Sequence, residues 1–203
     1  MAEILTENID KINDSTVLTD LGLEAGKFIL LSAHREENID IESNFFSLMH
    51  AVNAMAEAYD MPVLYSCHPR SKKYIESRGF KFDKRVIQHP PLGFFDYNKL
   101  QQSAFCVVSD SGTLPEESAF FKFPAVSVRT STERPEAMEE GVFIVGSITS
   151  DQVLQAVDLA VSMKVAGDEA GTVSAYKDQN VSVKVVKIIQ SYVGIVNKMV
   201  WRK

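Results

Sequence analysis

The sequence predicts an α/β fold built on a doubly wound parallel sheet. Three observations carry this. Short apolar runs recur along the chain with little polar alternation, as strands buried on both faces require. Stretches with apolar residues every three or four positions lie between them. Polar, chemistry-bearing tracts follow the ends of the apolar runs, where such sheets bind ligands.

In order, the runs at 28–32 (FILLS), 63–67 (VLYSC), 85–87, 104–109 (AFCVVS), 125–128 and 142–145 read as strands. Phe45, Met49, Val52, Ala56 and Tyr59 place one apolar stripe on a helix over 42–59. Ser150 is a candidate cap for a helix carrying Val153, Leu154, Val157 and Val161. Val181, Val185, Ile188, Ile189, Tyr192, Val196 and Met199 give a long final helix over about 180–200 with a broad apolar face. Strand and helix alternate about five or six times, with no internal repeat.

Composition narrows the function classes. The 203 residues suffice for one comfortable domain, and 45% apolar content argues against disorder. A net charge of −6 argues against a general nucleic-acid binder, although a local phosphate site stays open. Cys67 and Cys106 sit in apolar runs and read as buried thiols of a reducing, cytoplasmic environment. No run approaches the roughly 20 apolar residues of a membrane span, and the first ten residues lack the regions of a signal peptide.

Five loops carry the chemistry. Ser32-Ala33-His34-Arg35-Glu36-Glu37-Asn38 joins an imidazole that exchanges protons near neutrality to a forked cation suited to phosphate; a solvated loop fits equally well. Cys67-His68-Pro69-Arg70 repeats the His–Arg pairing, with a structural histidine as the commoner outcome. In the third loop, 89–97, two prolines and Gly93 shape a turn before Phe94, Phe95 and Tyr97. Phe94 and Phe95 are expected in the core, whereas Tyr97 is open to base stacking or to packing.

The fourth loop is Ser109-Asp110-Ser111-Gly112-Thr113-Leu114-Pro115-Glu116-Glu117. Ser-Gly-Thr opens a helix whose first turn admits Pro115. Its backbone N–H groups and dipole form an anion cradle, and Glu116 or Glu117 can accept from ribose hydroxyls. The Walker lysine is absent, and an ordinary capped helix also fits. The fifth loop crowds Arg129, Glu133, Arg134 and Glu136 at one strand end, for internal pairing or for a polar pocket. Converging on one sheet edge, the five loops describe a pocket for a nucleotide diphosphate bearing a polar group.

Taken together, SAHREEN, HPR, PLGFFDY, SDSGTLPEES and RTSTERPE resemble, in order and spacing, the non-hydrolysing UDP-N-acetylglucosamine 2-epimerase family. The tracts GFFDYNKLQ, AFCVVSDSGT and NVSVKVVKIIQSYVGIVNKMVW are similar to the capsule and O-antigen branch that forms UDP-N-acetyl-L-fucosamine. The resemblance implies the second Rossmann-like domain of a glycosyltransferase-B type pair. It implies a linker and leading helix over 1–25, a UDP-binding domain over 26–177, and a helix over 178–203 that crosses back to a missing N-terminal domain. The apolar face with Tyr192, Val196 and Trp201 would then lack its cover.

The implied chemistry removes the C2 proton of a UDP-2-acetamido sugar, eliminates UDP across C1–C2 and adds it back with C2 inverted. It uses no metal and no cofactor, and the full enzyme would be a homodimer. By resemblance, Ser111 and Gly112 cradle the pyrophosphate, with Thr113 standing where many relatives have a second glycine. Glu117 holds the ribose, and Tyr97 lies beside the uracil. His34 is the catalytic candidate with Arg35 at its side, and His68 assists at the wall. Arg129, Glu133 and Arg134 shape the site or its closure. The acid and base carboxylates fall largely in the absent domain, so this chain alone is expected to bind UDP weakly without turnover. A UDP-sugar glycosyltransferase domain, a hydrolysing epimerase and a stand-alone nucleotide-sugar binding domain are the competing readings.

Overall fold

A computed structural model describes residues 1–129, 134–167 and 173–203. The helices are α1 (Ala2–Glu7), α2 (Ile9–Asn13), α3 (Val17–Asp20), α4 (Glu36–Ile39), α5 (Glu42–Tyr59), α6 (Pro69–Ser77), α7 (Phe94–Ser103), α8 (Leu114–Phe121), α9 (Pro135–Glu139), α10 (Ser150–Ala166) and α11 (Val181–Met199). The strands are β1 (Ile29–Ser32), β2 (Val63–Ser66), β3 (Val86–His89), β4 (Cys106–Ser109), β5 (Ala125–Val128) and β6 (Ile144–Gly146). Among the described residues all strand pairings are parallel, in the order β3-β2-β1-β4-β5-β6. That is the order of a Rossmann-like doubly wound sheet.

Side chains of successive strand residues point to opposite faces, and this sorts the core into two layers. Ile29 and Leu31 of β1, Tyr65 of β2, Val108 of β4 and Val126 of β5 pack with Phe45, Met49, Val52 and Met55 of α5 and Val153 and Val157 of α10. Phe28, Leu30, Leu64 and Val107 face the other way, against Leu100 of α7, Leu114 and Ala119 of α8 and Val17 of α3. Each fully buried large aliphatic or aromatic side chain contributes about 1.5–3 kcal/mol of transfer free energy.

The apolar runs are recovered as strands, shifted by one or two residues at several ends: apolar residues precede the paired segments of β4 and β6, whereas β3 stays paired through polar Gln88 and His89. The leading segment holds three short helices rather than one. The cap of α10 is Thr149, not Ser150, and its hydroxyl donates to Gln152 Oε1 at 2.8 Å. Phe94 and Phe95 are exposed at 40% and 38%, contrary to the expected core placement. They occupy the first turn of α7, whereas that helix meets the core one turn later through Tyr97 and Leu100.

Cys67 and Cys106 are free and buried, as expected. Burial raises their thiols to about 11 and about 12, so both stay protonated near neutrality. All of α11 is exposed, including Tyr192 at 57%, and so is Trp201 just beyond it at 64%. No helix among the described residues is long and apolar enough to cross a membrane.

Candidate functional site

The strand order reverses between β1 and β4, so their outgoing loops diverge and leave a crevice. Ser32 pairs with Ser109 at the ends of these strands, which sets the 33–38 and 110–113 segments side by side.

Asp110 organises the crevice. Its side chain is completely buried. Oδ2 accepts the backbone N–H of His34 at 2.9 Å, that of Arg35 at 2.8 Å and Asn38 Nδ2–H at 3.1 Å. Arg35 Nε donates to the Asp110 carbonyl at 2.9 Å. Asn38, 1% exposed, also donates to the Val128 carbonyl at 2.9 Å, tying the ends of β4 and β5 to the loop after β1. The Ala33 carbonyl accepts Tyr65 Oη–H at 2.8 Å and Ser71 Oγ–H at 3.0 Å. Both faces of the His34 loop are therefore braced by buried hydrogen bonds.

The groove above has a volume of about 590 Å³ and is lined by His34, Arg35, Glu36, Glu37, His68, Arg70, Ser111 and Gly112. The His34 and His68 ring centroids lie 5.7 Å apart. His68 caps α6, its Nδ1 accepting the Arg70 N–H at 3.2 Å. Arg70 pairs with Glu36 at 2.8 Å and with Asp40.

On the other wall Ser109 Oγ accepts the Ser111 N–H at 3.1 Å, and the Ser111 and Thr113 hydroxyls bond to each other at 3.0 Å. A Cβ on Gly112 would stand 3.4 Å from Arg35 Nη2, so the guanidinium lies directly over the glycine. A helix start with a bare glycine backbone beneath an arginine is an arrangement that takes an anion.

The remaining expected residues lie outside this lining. Glu117 is 7% exposed at the buried side of α8, where it accepts Gln101 Nε2–H at 2.6 Å. Burial pushes its carboxyl above the usual range, against the lowering effect of Gln101 and Thr113. Tyr97 is half-buried beside Ser32 and Ser109, and its phenol is raised first by burial and then by Glu117. Arg129 is 4% exposed and reaches Glu37 at 3.3 Å from behind the groove. Arg134 pairs with Glu116 at 2.7 Å and its guanidinium stands 6.0 Å from the Tyr176 ring centroid, away from the groove. Glu133 falls outside the described residues.

Sequence reasoning did not single out Asp110, Asn38, Glu36, Glu37, Arg70 or Gln101 as site residues. The first five stand inside motifs already read as chemical, but their roles depend on which strands are neighbours. Gln101 had no sequence signal.

A second cavity, about 290 Å³, lies at the opposite, amino end of β5 against Phe123, Val142, Ile144 and Met163. Its walls bring together no cluster of catalytic side chains. Among the described residues no group of His, Cys, Asp and Glu is arranged to hold a metal ion.

The family model described as UDP-N-acetylglucosamine 2-epimerase matches residues 1–190. A UDP-N-acetylglucosamine 2-epimerase of Methanocaldococcus jannaschii is 28% identical over 162 residues, which are 78% of this chain and 43% of the relative. A UDP-2,3-diacetamido-2,3-dideoxy-D-glucuronate 2-epimerase of Pseudomonas aeruginosa is 30% identical over 70% of this chain and 39% of its own length.

Among solved structures, the UDP-N-acetylglucosamine 2-epimerase of Rickettsia bellii superposes with a TM-score of 0.83 at 32% identity, covering 99% of this chain and 54% of that one. This chain thus spans about half the length of the proteins it matches. With the family model matching nearly its whole length, the chain belongs to the UDP-N-acetylglucosamine 2-epimerase family.

Proposed function

We propose that this chain is the UDP-binding half of a UDP-sugar 2-epimerase, which inverts C2 of a UDP-2-acetamido sugar by eliminating UDP and adding it back. The observation that carries the reading is the pairing of the Ser111–Gly112 helix start with Arg35 and His34 across one groove. Elimination of UDP leaves a diphosphate whose charge must be held until it adds back. Backbone amides and Arg35 would hold it, and His34 stands where a proton can be exchanged beside it. Glu117 and Tyr97 would complete the nucleoside end, while Arg129, Glu133 and Arg134 would support the walls or their closure.

The chemistry needs acid and base carboxylates on opposite faces of the sugar. In this reading they come largely from a preceding domain, toward which α11 carries its apolar face. Residues 26–177 then form the nucleotide-binding unit, 1–25 the linker and 178–203 the crossing helix. The whole enzyme is a cytoplasmic homodimer, and its product serves surface polysaccharide synthesis. The tracts GFFDYNKLQ and AFCVVSDSGT favour the fucosamine-forming branch.

Calorimetric titration of the chain with UDP tests the reading. Saturable binding is expected, and it disappears in Ser111→Trp. Binding unchanged in that variant would place the nucleotide elsewhere. Turnover of UDP-N-acetylglucosamine by the chain alone would overturn its assignment as a half-enzyme. Accumulation of free UDP by the two-domain protein would identify the hydrolysing variant.

A further inference from the structure

We infer that Asp110 is a positioning residue that fixes the tautomer of His34, holding the proton on Nδ1 and leaving Nε2 as a lone-pair nitrogen at the groove. This deepens the functional reading and rests on it only for what His34 acts upon.

The two oxygens of Asp110 are in different states. Oδ2 is saturated by three donors, the His34 and Arg35 amides and Asn38 Nδ2–H. Oδ1 is sealed from solvent and accepts no hydrogen bond among the described residues. It lies 3.5 Å from His34 Nδ1, longer than a formed N–H···O bond. A buried carboxylate oxygen without a donor is costly, and a small rotation of the imidazole supplies one. The opposite tautomer would set two lone pairs face to face. The same carboxylate also holds the amide of His34 itself, so one group fixes both the backbone carrying the ring and the ring's proton.

His68 is set the other way. Its Nδ1 accepts the Arg70 N–H, so a neutral His68 carries its proton on Nε2. The adjacent rings therefore differ in what they offer: His34 an acceptor nitrogen, His68 an N–H donor. Such a pair can orient one hydroxyl between them, which donates to His34 Nε2 and accepts from His68 Nε2–H. The other charged groups of the groove are Arg35, Glu36 and Glu37 on the His34 loop and Arg70 on α6. Arg70 is engaged by Glu36 and Asp40, and Glu37 by Arg129, so Asp110 is the carboxylate that faces Nδ1.

Long-range proton–nitrogen correlation spectra of the labelled chain read the tautomers directly, at a pH of about 8 where imidazoles are neutral. His→Gln substitutions one at a time assign the rings. The expected result is an Nδ1–H His34 and an Nε2–H His68. An Nε2–H His34, or a tautomer averaged evenly, would overturn the inference.

In Asp110→Asn the carboxamide can keep its oxygen on the two backbone amides and turn its NH₂ toward His34. The tautomer ratio should then move at least tenfold toward Nε2–H. A folded variant with the wild-type ratio would refute the role of Asp110, and if the variant fails to fold, the wild-type tautomer decides. Asn38→Ala removes one donor from Oδ2 without touching the ring. It should leave the ratio in place, and its loss there would assign the preference to loop bracing instead. UDP titration is a separate readout: an Nδ1–H His34 in a chain that binds no UDP would sink the functional reading alone.

Discussion

Asn38 and Asp110, 72 positions apart in sequence, are joined by a buried hydrogen bond of 3.1 Å between Asn38 Nδ2 and Asp110 Oδ2. Asn38 also holds the Val128 carbonyl, so this one amide links the outgoing ends of three strands.

Removing that amide leaves a buried carbonyl unsatisfied and weakens the carboxylate's shell. Asn38→Ala should destabilise the chain by about 1–3 kcal/mol. Asn38→Asp should cost more, because two carboxylates would meet in a solvent-free site. Urea unfolding followed by circular dichroism measures both.

A Cβ on Gly112 would meet Arg35 Nη2 at 3.4 Å, so a branched side chain there reaches past contact into the space between the helix start and the guanidinium. Gly112→Val should weaken UDP at least tenfold, about 1.4 kcal/mol, with little change in stability because the loop borders the open groove. Binding equal to wild type would place the anion elsewhere.

Glu117 gives stability a definite pH dependence. Burial raises its folded-state carboxyl above the unfolded value. Its stabilising contribution is complete below the unfolded range and is lost as pH rises through the folded one. Glu117→Gln should therefore gain stability relative to wild type as pH rises from acid to neutral, with the two converging in acid. Gln101 retains an acceptor in the variant. Parallel unfolding midpoints at every pH would contradict the assignment.

Helix α11 buries none of its residues. Ending the chain after residue 179 should change unfolding free energy by less than about 1 kcal/mol, since little packing is lost. The same truncation should reduce concentration-dependent self-association, because it removes the exposed Ile188, Tyr192, Val196 and Trp201. Sedimentation velocity across a range of concentrations reads this.

Much of the molecule is legible in local pattern. Apolar runs and the three-to-four spacing between Phe45 and Tyr59 report which segments are buried and with what period; α5 spans the expected 42–59. Histidine, arginine and the Ser-Gly-Thr helix start announce themselves by residue type and by their place after a strand. Phe94 and Phe95 misled because hydrophobicity says that burial is favourable, not which turn of a helix meets the core.

What only the tertiary structure decided is adjacency. Nothing near His34 in sequence indicates that β1 lies against β4, or that Asp110, 76 positions later, sits beneath its backbone amide. Side-chain period is a local property of each segment. Strand order is a choice among non-local pairings, made by the whole core at once, and it alone brings the first, second and fourth of the polar loops into one groove with a buried carboxylate at its base.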